Sequence, residues 1–374
     1  SVPIHANAFT IFETLNDRGL ALAISDLLKN YLFSKADDRL SEAQSNWIAM
    51  GSVLESVGGD EIVVDYIRHL WSSKFGLVRE RQLYKDIRRR ANSKKRSVEF
   101  TADLEGQART YSAILNPGHP VWKPYGDVAR GYVSAINVLQ VKEIRPLLLA
   151  VVTNFAPQQA VKALRLLVSC VVRSLVVTGR SGLLESHYCA TAKNISDGNI
   201  TKMREAIPSD AEFREAFAVA SSSNSQRVRY FLREIERYIN VDHPEWVPSA
   251  SVDDVSLEHI VPRNLSADWS EFDEELHRSY LQRIGNLAIL AAGENSELGN
   301  AGFKQKKKAF KKSSFKTTAT ISDSAMWTPE EINVRQKLLA EYAAKTWPLS
   351  GDQRRPMTMK KKTAKKKRVV TKGK

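Results

Sequence analysis

The sequence predicts a mainly α-helical protein that closes, in its C-terminal part, on a small ββα unit. Three observations carry that prediction. Apolar-periodic segments with helix caps and breakers fill most of residues 60–240. No strand-rich stretch or internal repeat interrupts them. Two short apolar runs, 255–261 and 285–290, then stand ahead of a Lys-rich segment, the order of a hairpin followed by a helix.

Residues 60–92 and 121–151 read as helical, with Gly58-Gly59 and Pro117-Gly118 as breaks. Segment 157–177 has a proline in its first turn, continuous Ala, Leu and Val content, and Gly179 just past its end. That is the start and stop chemistry of a largely buried helix. Segments 210–221 and 228–239 follow. The second places Val228, Phe231, Leu232, Ile235 and Ile239 at helical spacing, with Arg and Glu on the far face. Ser221 to Ser225 reads as a loop and 244–254 as a linker. Segment 255–261, closed by Pro262, is a buried strand; 263–283 is a long loop, 285–290 the second strand and 295–312 the helix packed on the hairpin.

At 374 residues the chain is long enough for two or three domains. The longest apolar candidate, 166–177, is short and carries Arg173, which excludes a membrane-spanning helix, and no secretory signal opens the chain. Cys170 and Cys189 cannot form a four-cysteine zinc site and read as reduced, buried thiols of a cytoplasmic protein. The formal charge is +14. From Gly351 onward eleven Lys or Arg face the single Asp352, so this tail carries +10 and the remaining body +4. Such a tail reads as disordered and attracts any polyanion. Lys304, Lys306, Lys307, Lys308, Lys311 and Lys312 form a second basic run, placed directly after the hairpin.

The chemistry lies in Leu257-Glu258-His259-Ile260-Val261-Pro262, Gly285-Asn286-Leu287 and Asn295. This order suits a one-metal nuclease finger. A carboxylate holds a divalent cation, an adjacent imidazole takes a proton from water, a middle Asn orients that imidazole, and a final amide oxygen completes the metal shell. His259, with a reference pKa of about 6.5, is the side chain suited to act as base near neutral pH. Glu258 and Asn295 offer hard oxygens, which favour Mg²⁺ or Mn²⁺ over zinc. Asn300 is an alternative metal ligand, with Asn295 then capping a helix. Neighbouring strand residues point to opposite faces, so one of Glu258 and His259 must sit where the strand bends. His277, in the loop, reads as a solvated polar residue.

These motifs resemble the HNH (His-Me finger, ββα-metal) endonuclease motif, in the variant found in the C-terminal nuclease module of GmrSD-like restriction endonucleases. Glu258 departs from the Asp more common at its position. A second segment, Phe12-Glu13-Thr14-Leu15-Asn16-Asp17-Arg18-Gly19 running on through Ser25 to Leu32, is similar to the closing part of that family's ParB-like, nucleotide-dependent N-terminal domain. The resemblance implies a metal-dependent DNA endonuclease of a restriction or phage-defence system, acting on foreign or modified DNA. His259 and Asn286 are then catalytic, Glu258 and Asn295 hold the metal, and Lys304, Lys306 and Lys307 hold the phosphate backbone. Lys306 fits the family's Phe-x-x-Lys spacing from Phe303.

Asn16 and Arg18 would be remnants of the nucleotide domain, most of which this chain lacks, so the chain reads as a C-terminal fragment. The implied organisation is 1–35 closing the N-terminal domain, 36–245 helical, 246–348 the nuclease module and 349–374 the basic tail. Cutting both strands with one finger would call for a homo-oligomer. The competing reading is a non-catalytic DNA-binding or scaffolding subunit that works through the basic helix and tail.

Overall fold

The structure is a computed structural model that describes residues 20–59, 61–180, 182–195, 200, 203, 206–240, 254–291 and 298–349. The first helices are α1 (Leu20–Ala36), α2 (Leu40–Glu55), α3 (Glu61–Phe75), α4 (Glu80–Arg90) and α5 (Lys94–Leu115). They are followed by α6 (Gly126–Leu139), α7 (Arg145–Asn154), α8 (Pro157–Thr178), α9 (Glu185–Lys193), α10 (Asp210–Phe217) and α11 (Ser225–Ile239). The C-terminal part then runs β1 (Val255–His259), α12 (Glu274–Tyr280), β2 (Leu287–Ala291), α13 (Phe303–Lys312), α14 (Lys316–Ala319) and α15 (Pro329–Thr346). The protein is mainly α, with one two-stranded sheet among the described residues. No described helix is long and apolar enough to cross a membrane.

Element boundaries follow local chemistry. The helical stretch expected over 60–92 is two helices, because Gly76 takes φ +95°, a left-handed conformation that ends α3. α8 starts on Pro157 and stops at Gly179, whose φ is +66°. The helix expected over 210–221 ends at Phe217. The serine-rich loop then supplies the start of the next one: Asn224 caps α11 by accepting from Arg227 N–H at 3.0 Å, and Ser225 is its first residue. The expected loop 263–283 contains α12, capped by Asp273. Most of the expected linker 244–254, and the tail from 350, lie outside the described residues.

One large core runs from Ile24 in α1 to Trp347 after α15, and takes in Val255, Leu287 and Ile289 of the hairpin. A two-stranded hairpin is marginal alone in water, so this contact is needed to hold it. Its other face belongs to a second cluster, in which Ala288 and Leu290 join Phe303 and Phe310 of α13, Trp327 just ahead of α15, and Ile332 of α15. Arg173, fully buried in α8, binds the helical part to the chain end: it donates to Trp347 O at 2.8 Å and Pro208 O at 3.0 Å and pairs with Asp210. The charge that interrupts the apolar run is therefore an anchor. Cys170 and Cys189 are buried and unlinked.

His69, fully buried in α3, gives the helical part a pH response. Arg68 can only donate, so the 3.0 Å contact makes His69 Nε2 an acceptor and leaves the ring proton on Nδ1, directed at Tyr111 Oη 2.7 Å away. Burial, then the charges of Arg68, Arg145 and Lys142, hold its pKa well below the ordinary 6.5. The folded ring stays neutral while the unfolded ring gains a proton below about pH 6.5, so acid favours unfolding. Between pH 6.5 and 5 the wild type should lose up to about 1.4 kcal/mol per pH unit from this group, a loss absent in His69→Gln. Urea midpoints across that range test it, and parallel curves for the two proteins would remove His69 as the cause.

Candidate active site

β1 and β2 pair antiparallel, with Glu258 opposite Ala288 and His259 opposite Leu287. The pairing runs regularly through both residues, so the bend expected between them does not occur within the pair. Pleating then sends their side chains to opposite faces. Glu258 turns toward α13, where Lys306 Nζ donates to Oε1 at 2.5 Å and to His259 O at 2.7 Å. His259 borders a cavity of about 250 Å³ that is also lined by Ser222 ahead of α11, by Ser225 and Arg229 in its first turns, and by Arg263 and Gln282.

The imidazole is neutral at neutral pH. Burial, and then the positive charges of Arg263 and Lys306, lower its pKa to about 4 against a smaller opposing effect of its hydrogen bond with the Gln282 side chain. Nε2 has no hydrogen-bond partner. None of the residues lining the cavity is acidic. A neutral imidazole with an unused nitrogen, facing a cationic and hydroxyl-rich space, can accept a proton from a water lodged there.

Asn286 is fully buried, and its amide is bonded to backbone. Its Oδ1 accepts from Val261 N–H at 2.9 Å, its Nδ2 donates to Val261 O and Leu281 O, and its own carbonyl accepts from Ile260 N–H. It fixes the backbone just beyond His259, whereas the side-chain hydrogen bond to the ring comes from Gln282. Gly285 is required by close approach, since a Cβ there would lie 2.5 Å from Ile332 O and 2.8 Å from Gln336 Cβ. Two α15 residues complete the mount. Arg335 donates to the carbonyls of Gly285 and Leu287, and Gln336 joins Gly285 N–H and Arg283 to the carbonyls of Phe217 and Ala220.

Lys306 differs from its expected place on a DNA backbone. Phe303, Lys306 and Phe310 share one face of α13, which carries the Lys306 ammonium to complete burial against Glu258. Burial raises the Glu258 pKa and lowers that of Lys306, and the contact between them opposes both shifts. Lys304 is exposed, beside a different cavity formed with Trp269, Phe303 and Trp327, and Lys307 is half-buried, donating to Ser324 O at 2.7 Å. His277 is half-buried and bonded to Pro262 O at 2.8 Å, so it braces the loop after β1 instead of standing in solvent. The helix expected over 295–312 begins at Phe303. Asn300 is exposed, while Asn295, Asn16 and Arg18 lie outside the described residues.

Sequence reasoning missed Arg229, Arg263, Gln282, Arg335 and Gln336. Only Arg263 and Gln282 had a local signal, being polar residues close to the two motifs. Among the described residues, no group of three or more His, Cys, Asp or Glu forms a metal cage.

Comparison with curated proteins finds no match. Residues 207–342 match the family model for GmrSD restriction endonucleases, C-terminal domain. The matched span begins before α10 and ends within α15, so it contains the hairpin, α13 and both walls of the His259 cavity. The family is one of restriction endonucleases, whose substrate is DNA. Residues 207–342, which hold the hairpin and the helices that mount it, are thus similar to the C-terminal domain of GmrSD restriction endonucleases.

Proposed function

We propose that the chain is a metal-dependent DNA endonuclease of the HNH type, serving a restriction or phage-defence system, with His259 as the general base. The observation that carries the reading is the neutral, unpartnered Nε2 of His259 beside a cavity with two guanidiniums and no carboxylate. His259 takes a proton from water, the water oxygen bonds to phosphorus, and the 3′ oxygen leaves and acquires a proton from solvent. Asn286 acts through the backbone of Val261 as a positioning residue. The reading places the activity in the cytoplasm, where a second copy would supply the cut on the opposite strand.

Glu258, with Asn295 or Asn300, would hold Mg²⁺ or Mn²⁺. The Lys306 ammonium already takes Glu258 Oε1 and the His259 carbonyl, so a metal held by Glu258 would have to displace it or share the carboxylate with it. A metal held there would supply positive charge to a phosphate oxygen, for which the Glu258 side chain would have to turn from the α13 face of the hairpin toward the His259 side. Lys304 and Lys307 support the flanking backbone by charge.

Plasmid cleavage with Mg²⁺, Mn²⁺ or EDTA tests the reading. Nicking or linearisation should occur with either metal and stop in EDTA. Metal-independent DNA binding without any scission would instead favour a binding subunit.

A further inference from the structure

We propose that the His259 cavity is the seat of the scissile phosphodiester, with Arg229 and Arg263 as the guanidiniums that hold it. The proposal rests on the reading of His259 as the base and adds to it the residues that fix the substrate. Arg229 comes from α11, more than twenty residues ahead of the hairpin, and Arg263 from the loop that leaves β1. Both line the cavity, and neither has an ion-pair partner among the described residues. The Arg229 Nε is buried without a hydrogen-bond partner. A buried guanidinium N–H left unpaired is costly, and an oxyanion is its natural complement.

Other features of the cavity have the same polarity. The first turn of α11 borders the cavity, so Ser225, with Ser222 just ahead of the helix, stands there near the positive end of a 15-residue helix. The volume, about 250 Å³, lies below that usual for drug-sized ligands and suits a phosphodiester group with its adjoining carbons. The geometry is also fixed in advance. Ser222 N–H donates to Gln282 O at 3.0 Å, and Gln336 ties the carbonyls of Phe217 and Ala220 to Gly285, so the Arg229 wall cannot drift from His259. A phosphate between the guanidiniums would therefore lie beside the nitrogen that activates water.

Diethyl phosphate, a small diester the protein need not cleave, is the probe. Titrated in EDTA against the wild type, it should shift the His259 ring resonances saturably, with the assignment made by their loss in His259→Asn. Arg229→Gln/Arg263→Gln should weaken its affinity roughly ten- to hundred-fold, while Arg96→Gln/Arg130→Gln, the same charge loss away from the cavity, should leave it unchanged. Arg263 is exposed, so Arg263→Gln alone tests the point without risk to folding, and the buried His69 resonance reports that the double variant is folded. No shift in the wild type, or equal affinity in Arg263→Gln, would overturn the proposal. Diester binding by a protein that never cuts DNA would leave the phosphate seat and remove the nuclease. Cleavage without diester binding would do the reverse.

Discussion

His259→Ala should lower metal-dependent DNA cleavage by roughly two to four orders of magnitude while leaving DNA affinity nearly intact. The ring is neutral at working pH, so its loss removes no charge from the phosphate contacts, which set most of the affinity for DNA. The missing imidazole would enlarge an existing cavity, and free imidazole in the buffer should restore part of the rate. Single-turnover cleavage beside equilibrium binding in EDTA separates the two effects. A variant that still cuts at the wild-type rate would exclude His259 as the base, and one that loses binding and cleavage together would make the residue structural.

Lys306→Met should cost about 3 kcal/mol or more of stability. Methionine fills a similar volume, but the change leaves the Glu258 carboxylate, only 12 % exposed, without its cation. A buried pair broken on one side loses more than a pair removed entirely, so Lys306→Met/Glu258→Gln should recover most of the loss. Acid should recover some too, because a protonated Glu258 no longer needs a counter-charge. The same variant tests the metal. With the ammonium gone, Mn²⁺ at a hundred times its dissociation constant should return about 2.7 kcal/mol, and the double variant should not respond. Thermal melts decide both points: an unchanged melting temperature in Lys306→Met would deny the pair a structural role, and a variant indifferent to Mn²⁺ would deny Glu258 as a ligand.

Much of the site was legible because its parts are local. Glu258 and His259 are adjacent, and Asn286 sits at the turn into the second strand, where its amide closes the hairpin end. The consequence of adjacency was also legible: on a paired strand the two side chains must part. What sequence reasoning did not yield was the bend's absence, because strand pairing is decided by the partner strand. Lys306 was singled out by its spacing from Phe303 but assigned to the phosphate backbone, although its spacing from Phe303 and Phe310 places it on the buried face of the helix. Arg229 and Gln336 gave no such signal. They lie 30 residues before and 77 residues after His259 in the sequence, and only the packing of α11 and α15 brings them to it. The helical expectation failed chiefly at boundaries, as at Gly76 and Ser225, where a single backbone conformation or one capping amide decides.

The Gln336 side chain has a consequence for how such a site can be inherited. One amide from α15 holds the backbone ahead of α11 and the glycine just ahead of β2. His259 and the Arg229 guanidinium across the cavity from it therefore belong to stretches of chain that are joined through a third. A hairpin and helix copied alone into another protein would carry the motif without its opposite wall. Recombination that preserves the chemistry has to move α10 through α15 together, and the matched span, residues 207–342, has nearly those limits.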